Sequence, residues 1–225
     1  MRVCILANSS RYIWNFRVNL IEAIRAAGHE VLALSPLGTE VSLIQSLGIR
    51  HVHLPLAPKG INPLTEIQTV YALRRLLSEH RVDIVLSSTP KGNLYTALAN
   101  RGTQRRQIAN VSGLGSAYLR DDWLSRVVDA LYSLSFKRID HIFFENATDH
   151  AKFTRRGWVR TSQSEVIPGL GVDLHRFSQS PWPSAANDET RFLMIARLIG
   201  DKGVREYVEA ASLVRRKHPG ARFAL

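Results

Sequence analysis

A short apolar run, an amphipathic helix closed by glycine, and a second apolar run occupy the opening of this chain. That order constrains the fold more than any other feature. Arg2–Ala7 reads as a strand, and Asn15–Ala27 as a helix with Phe16, Leu20, Ile21 and Ile24 at helical spacing. Gly28 ends the helix, and Glu30–Ser35 is a second strand. Two strands joined through a helix lie parallel and cross over with a right hand.

The alternation continues. A short helix over Glu40–Leu47 leads to a third strand, Arg50–Leu54, and Pro55 to Pro63 is a turn-rich connection. A helix over Leu64–Glu79 carries Leu64, Ile67, Val70, Tyr71 and Leu77 on one side. Further strands are expected at Asp83–Ser87, Gln107–Val111, Asp140–Glu145 and Glu165–Pro168. A helix over Trp123–Phe136 has Trp123, Val127, Leu131 and Leu134 in register as core. Arg101 to Arg106 reads as a solvated turn. The fold class is α/β, a Rossmann-like doubly wound parallel sheet.

A second unit begins later. Ser178–Glu189 contains two prolines and has no apolar period, so it reads as a linker. The expected organisation is a first domain over 1–177, a linker over 178–189, and the start of a second domain over 190–225. That second unit holds Phe192–Ala196 as a strand, Asp201 as a helix N-cap, an amphipathic helix, and Ala221–Leu225 opening another strand. Such a unit is expected to be an incomplete domain.

Composition narrows the function. The 225 residues carry a net charge of +11 and are 45% hydrophobic, ordinary for a packed globular core with a preference for anionic partners. Cys4 lies in an apolar strand pattern and reads as a small core residue, and no cysteine cluster supports zinc. Val3 to Ala7 is too short for a signal peptide, and no run approaches the roughly 18 apolar residues that span a bilayer. A cytoplasmic protein is expected. Basic residues are scattered with no recognition-helix pattern, which disfavours nucleic acid. The segment Asn8–Trp14 has no glycine, so a dinucleotide fingerprint is absent.

Polar segments follow the carboxyl ends of the strands, where open α/β sheets bind ligands. Asn8 and Ser9 follow the first strand, with Asn15 and Arg17 on its helix; Ser88–Asn93 follows the fourth, and Ser112-Gly-Leu-Gly115 the fifth. Glu145 is the acidic residue at such a position and fits a supporting role. In the second unit Arg197 leaves the strand and Lys202 sits at the helix mouth, where two cations and backbone N–H groups suit a diphosphate. Spacing alone favours the plainer reading, a loop with two solvated cations.

Taken together, these residues resemble the amino-terminal half of a retaining glycosyltransferase of the GT-B fold, in family 4. Arg197, Leu198, Lys202 and Gly203 match the family's Arg-Leu-x-x-x-Lys-Gly pattern. Pro168, Gly169, Gly171, Val172, Asp173 and Phe177 match its crossover pattern. Ile5–Ser9, Asn15-Phe-Arg17, Ser112–Gly115 and Phe143–Asn146 resemble a subgroup that adds N-acetylhexosamines to polyprenyl-diphosphate-linked saccharides. Two departures are Ser9-Ser10 where many members have Gly-Gly, and the lack of the later Glu-x7-Glu region that contacts donor sugar and ribose.

The resemblance implies roles. Arg197, Lys202 and Gly203 would bind the donor diphosphate, and Gly113, Leu114 and Gly115 would form a donor-facing loop. Asn8, Ser9, Asn15 and Arg17 would lie on the acceptor side. Arg17 fits either an acceptor phosphate contact or a solvated helix-face charge. The donor would be a nucleotide sugar, UDP-linked, with no cofactor; no Asp-x-Asp sequence is present to hold a metal. The acceptor would be a polyprenyl-diphosphate-linked saccharide or a polysaccharide, reached at the anionic inner face of the membrane. Arg74, Arg75, Arg101, Arg105, Arg106, Lys137, Arg138, Lys152, Arg155 and Arg156 would supply attraction there. The alternatives are a non-catalytic basic binding module or one half of a split enzyme.

Overall fold

A computed structural model describes residues 1–56, 62–113, 123–181 and 190–225, with the side chains of 123–125 excepted. The chain divides into two compact units, Met1–Asp173 and Leu174–Leu225.

The first unit is a seven-stranded, wholly parallel sheet. Its strands are β1 (Arg2–Leu6), β2 (Glu30–Ser35), β3 (Arg50–His53), β4 (Ile84–Ser88), β5 (Arg106–Val111), β6 (His141–Phe144) and β7 (Ser164–Val166). They lie in the order β3-β2-β1-β4-β5-β6-β7. Helices α1 (Ser10–Phe16), α2 (Val18–Ala26), α3 (Val41–Ser46), α4 (Pro63–Glu79), α5 (Pro90–Ala99), α6 (Trp123–Ser135) and α7 (Ala147–Arg155) connect them.

Alternation along the strands builds two layers of core. From β1, Ile5 and the following Ala7 pack with Ile13, Ile21 and Ile44 beneath α1, α2 and α3. Cys4 and Leu6 point the other way, into a cluster with Leu73, Leu77 and Leu94 from α4 and α5. Cys4 is therefore the small core residue its pattern implies; burial pushes its thiol up, away from reactivity. A third cluster gathers Phe136, Phe144 and Phe153, each no more than 1% exposed, with Tyr132 and Trp158. Phe153 is ringed by those four aromatics at centroid distances of 5.0–5.3 Å.

Several sequence expectations need correction. The segment expected as a loop over Asn8–Trp14 is helical from Ser10, because the Ser9 hydroxyl accepts the Tyr12 N–H at 3.2 Å and caps α1 early. The single helix expected over Asn15–Ala27 is broken at Arg17, so Phe16 and Leu20 are exposed, while Ile13 and Ile21 are buried. In α4 the buried positions are Thr69, Leu73 and Leu77, while Leu64, Ile67 and Tyr71 face solvent. Thr69 can lie inside because its hydroxyl donates to backbone carbonyls. In α6 the inward face includes Val128 and Tyr132, and Val127 and Leu134 are exposed; Trp123's side chain lies outside the described residues. Both helices carry apolar residues on two faces, and packing chose between them.

Four of the arginines expected to supply attraction to an anionic membrane face make contacts within the fold. Arg74 donates to the Ala99 and Arg101 carbonyls, and Arg105 is half-buried rather than solvated, donating to the Val82 carbonyl. Arg75 pairs with Glu79, and Arg156 with Asp129.

In the second unit, β8 (Arg191–Leu193) and β9 (Arg222–Ala224) pair in parallel and are joined through α8 (Val204–Lys217). The Tyr207 hydroxyl lies 3.0 Å from the Phe192 carbonyl and 3.1 Å from that of Ala224, tying the helix to both strands. The strand expected over Phe192–Ala196 is shorter. Its ladder stops at Leu193, where β9 ends opposite it.

Candidate functional site

The strand order locates the site. The chain runs outward from β1 to β2 and β3, then restarts on the other side of β1 with β4. At such a reversal the following connections diverge, one to each face, and leave a crevice beyond the strands' carboxyl ends. Here the crevice lies past β1 and β4.

From the β1 side come Asn8 and Ser9, both half-buried, and then α1. Ser9 is spent on capping. Ser10, its buried neighbour, donates to Glu40 at 2.9 Å, and that bond holds the Glu40 carboxyl below its ordinary value. The Ser9-Ser10 pair thus starts α1 and ties it to the connection after β2. Asn15 lies half-buried in the last turn of α1.

Arg17 occupies the break between α1 and α2, with φ −128° and ψ 0°. Its guanidinium crosses the crevice, donating to the Tyr12 hydroxyl at 3.0 Å and to the Ser88 hydroxyl at the end of β4 at 2.9 Å. It also lies 5.3 Å from the centre of the Tyr12 ring. Arg17 is half-buried, so the solvated helix-face reading fails. Among the described residues no carboxylate pairs with it. A partly desolvated cation with only neutral partners keeps its full charge available to an anion.

From the β4 side, Thr89 links strand to helix with φ 72° and ψ 152°, a region nearly reserved for glycine. Pro90 then opens α5. A Cβ on Gly92 would sit 3.0 Å from Leu6 Cδ2, so the first turn of α5 packs directly on β1. Lys91 pairs with Glu66 of α4 at 2.7 Å, and Glu66 also accepts from the Tyr95 hydroxyl. Burial and the Glu66 carboxylate push Tyr95 up, keeping it a donor. Lys91 is thereby neutralised locally, whereas Arg17 has no carboxylate partner among the described residues.

Deeper in, Asn93 donates to the Asn110 carbonyl at 2.8 Å, and Asn110 donates to Glu145 at 2.6 Å. Glu145 thus holds β5 against the end of β6, the supporting role its position suggests. Gly113 follows β5 with φ 153°; Leu114 and Gly115 lie outside the described residues. Sequence reasoning marked the Ser88–Asn93 loop but missed Thr89, Lys91 and Glu66 as a group. The proline at the helix start was the available signal.

In the second unit Arg197 and Lys202 are exposed, and Gly200–Lys202 forms a single 3-10 turn. Asp201 lies within that turn and does not cap α8. The N-cap is Gly203, at φ 73° and ψ 22°, a left-handed conformation that a side chain would strain. Neither Arg197 nor Lys202 has a side-chain partner among the described residues. Two unpaired cations flank the start of a 14-residue helix whose cap offers no side-chain acceptor to its first N–H groups.

A family model of the glycosyl transferase 4-like domain matches residues 13–169 of this chain. The chain belongs to that family. The match covers most of the first unit, from α1 to just past β7. Among curated proteins, an N,N'-diacetylbacillosaminyl-diphospho-undecaprenol alpha-1,3-N-acetylgalactosaminyltransferase of Campylobacter jejuni is 26% identical over 232 residues, covering 96% of this chain. The chain spans 61% of that relative's length. Among solved structures, HepE of Anabaena, determined with UDP and glucose, aligns with a TM-score of 0.69 at 16% identity, covering 99% of this chain and 60% of that one. A glycosyltransferase of Rickettsia africae aligns at 0.63 and 16% identity, covering 96% of this chain and 57% of that one. Sucrose-phosphate synthase of Thermosynechococcus elongatus aligns at 0.69 and 15% identity, covering 99% and 61%. These likenesses establish the Rossmann-like fold of the glycosyl transferase 4-like domain for this chain.

Proposed function

We propose that this chain is part of a retaining glycosyltransferase that moves a hexose or N-acetylhexosamine from a UDP-sugar to a polyprenyl-diphosphate-linked saccharide. The observation that carries the reading is Arg17, a half-buried cation with neutral partners at the switch-point crevice of a glycosyl transferase 4-like domain. The Campylobacter relative, named for a diphospho-undecaprenol acceptor, supports the choice of acceptor.

In the reaction the donor's C1–O bond breaks and the nucleoside diphosphate leaves with the bonding electrons. An acceptor hydroxyl oxygen bonds to C1 and loses its proton. Negative charge grows on the leaving diphosphate, so Arg197 and Lys202 beside it lower the barrier. Gly203 shapes the turn so that backbone N–H groups at the start of α8 can meet the same oxygens. On the acceptor side, Arg17 binds a phosphate of the lipid carrier, oriented by Tyr12 and Ser88. Asn8, Ser9 and Asn15 border that contact.

Such an acceptor places the protein at the cytoplasmic face of a membrane. No helix among the described residues is long and apolar enough to cross one. Contact at the surface is supported by Leu64, Ile67 and Tyr71, 53–72% exposed on one side of α4.

The test offers the protein UDP-N-acetylgalactosamine, UDP-N-acetylglucosamine or UDP-glucose with a polyprenyl-diphosphate-linked saccharide, and reads product mass and anomeric configuration. A one-sugar mass gain with the donor's anomeric configuration kept is expected. Equal binding of the acceptor and of the same saccharide without its diphosphate would remove the role given to Arg17.

A further inference from the structure

A second concentration of positive charge lies at the opposite end of the sheet. The connections that enter β5 and β6 enclose a cavity of about 310 Å³, lined among others by Asn100, Arg101, Arg105, Gln107, Arg138 and Asp140. These residues follow α5, open β5 or precede β5 and β6, which places the cavity at the strands' amino ends, away from the β1–β4 crevice.

Its charges are poorly balanced. Three guanidiniums share the lining with one carboxylate, and Asp140 already accepts the Gln107 N–H at 2.8 Å. Arg105 is half-buried and meets only neutral oxygens: the Val82 carbonyl at 3.1 Å, Asn100 Oδ1 at 3.0 Å and the Ser78 hydroxyl at 3.2 Å. Behind it Arg74 likewise donates to two carbonyls, those of Ala99 and Arg101. Burial and then the Arg74 charge lower the pKa of Arg105. Arg101 and Arg138 are exposed at the rim, and neither side chain has a partner among the described residues.

Asn100 fixes the position of Arg105 in the lining. Its Oδ1 accepts from Arg105, which fixes the amide's orientation. The Nδ2 at the other end is buried without an acceptor and is closed to the cavity, so Asn100 serves the site by holding Arg105. The cavity therefore presents clustered guanidiniums with little carboxylate to balance them, the chemistry that recognises a phosphate group.

We propose that this cavity is a second, regulatory or anchoring site that binds a phosphate or diphosphate group, separate from the transfer site. The ligand's oxygens accept from Arg101 and Arg138 at the mouth, with the Arg105 charge behind them. The group belongs to a soluble phosphorylated molecule or to an anionic lipid headgroup; the volume admits either.

The test is calorimetric titration of the whole chain with inorganic pyrophosphate. Saturable binding is expected to survive Arg17→Gln and Lys202→Gln, and to weaken about tenfold or more in the double variant R101Q/R138Q. Asn100→Asp keeps the Arg105 hydrogen bond and sets a negative charge beside the guanidiniums of the lining. It is expected to abolish the same binding with no loss of melting temperature. Co-sedimentation with phosphatidylglycerol vesicles, lost in R101Q/R138Q, would assign a lipid source, and pyrophosphate binding without it a soluble one. No saturable binding outside the Arg17 and Lys202 sites, or binding unchanged in R101Q/R138Q and Asn100→Asp, would overturn the proposal.

Discussion

Replacing Arg17 by glutamine takes a half-buried positive charge out of the β1–β4 crevice and leaves the Tyr12 and Ser88 hydroxyls without their shared donor. A unit charge about 5 Å from a phosphate oxygen contributes ~3 kcal/mol at an effective dielectric near 20. Arg17 is only partly shielded from water, so the net loss expected is about 1.5–3 kcal/mol, in the range of a charge-assisted hydrogen bond. That corresponds to a ~10-fold to ~150-fold rise in Kd for a diphosphate-bearing acceptor. Stability should fall by about 1–2 kcal/mol, because both hydroxyls lose a partner but each can turn toward another acceptor or water. Arg17→Lys separates charge from geometry. An ammonium keeps the charge but cannot span both hydroxyls as the guanidinium does, so it should recover part of the affinity. The assay is equilibrium binding of a short-chain polyprenyl-diphosphate saccharide, run beside the free saccharide and a denaturant titration. A Kd for Arg17→Gln within twofold of wild type, in a folded protein, would refute the reasoning. So would an equal loss toward the free saccharide.

Thr89→Gly should raise stability by about 1 kcal/mol, since glycine adopts this conformation freely and the buried Thr89 hydroxyl has no hydrogen-bond partner to lose; urea denaturation measures it. A destabilised variant would show that the Thr89 methyl packs usefully. Phe153→Ala, at the centre of the aromatic cluster, should cost about 3–5 kcal/mol, read from the same transition. Burial and then the neighbouring His53 lower the pKa of His51, which lies 2.9 Å from the buried Ser35 hydroxyl. The unfolded chain therefore binds this proton first, so stability is complete above pH ~6.5 and declines as the pH falls below it. His51→Gln should flatten that acid limb in a series of melts across pH.

The strand positions were legible because each is a short apolar run between turn residues, a purely local signal. The β1 and β2 runs, for example, appear where Val3–Leu6 and Val31–Leu34 announce them. The cap at Ser9 was equally local, yet the reading placed the helix five residues late. A glycine-free polar stretch after a strand resembles a loop until its capping geometry is seen. Gly203 was singled out only through the family pattern, and its part in the turn, displacing Asp201 as the cap, depends on a backbone angle that composition does not reveal.

The sequence by itself determined the parallel α/β architecture, the family resemblance and the residues from which an anion site can be built. Those follow from period, punctuation and residue type, which act over a few neighbours. Tertiary structure decided which apolar face of α4 and α6 is buried, because each helix offers two and only the sheet selects one. It also decided which cations are available. Arg17 meets Ser88 across 71 residues, and Lys91 is cancelled by Glu66 across 25. A charge's worth depends on what stands within a few ångströms in space, and chain separation carries almost no information about that.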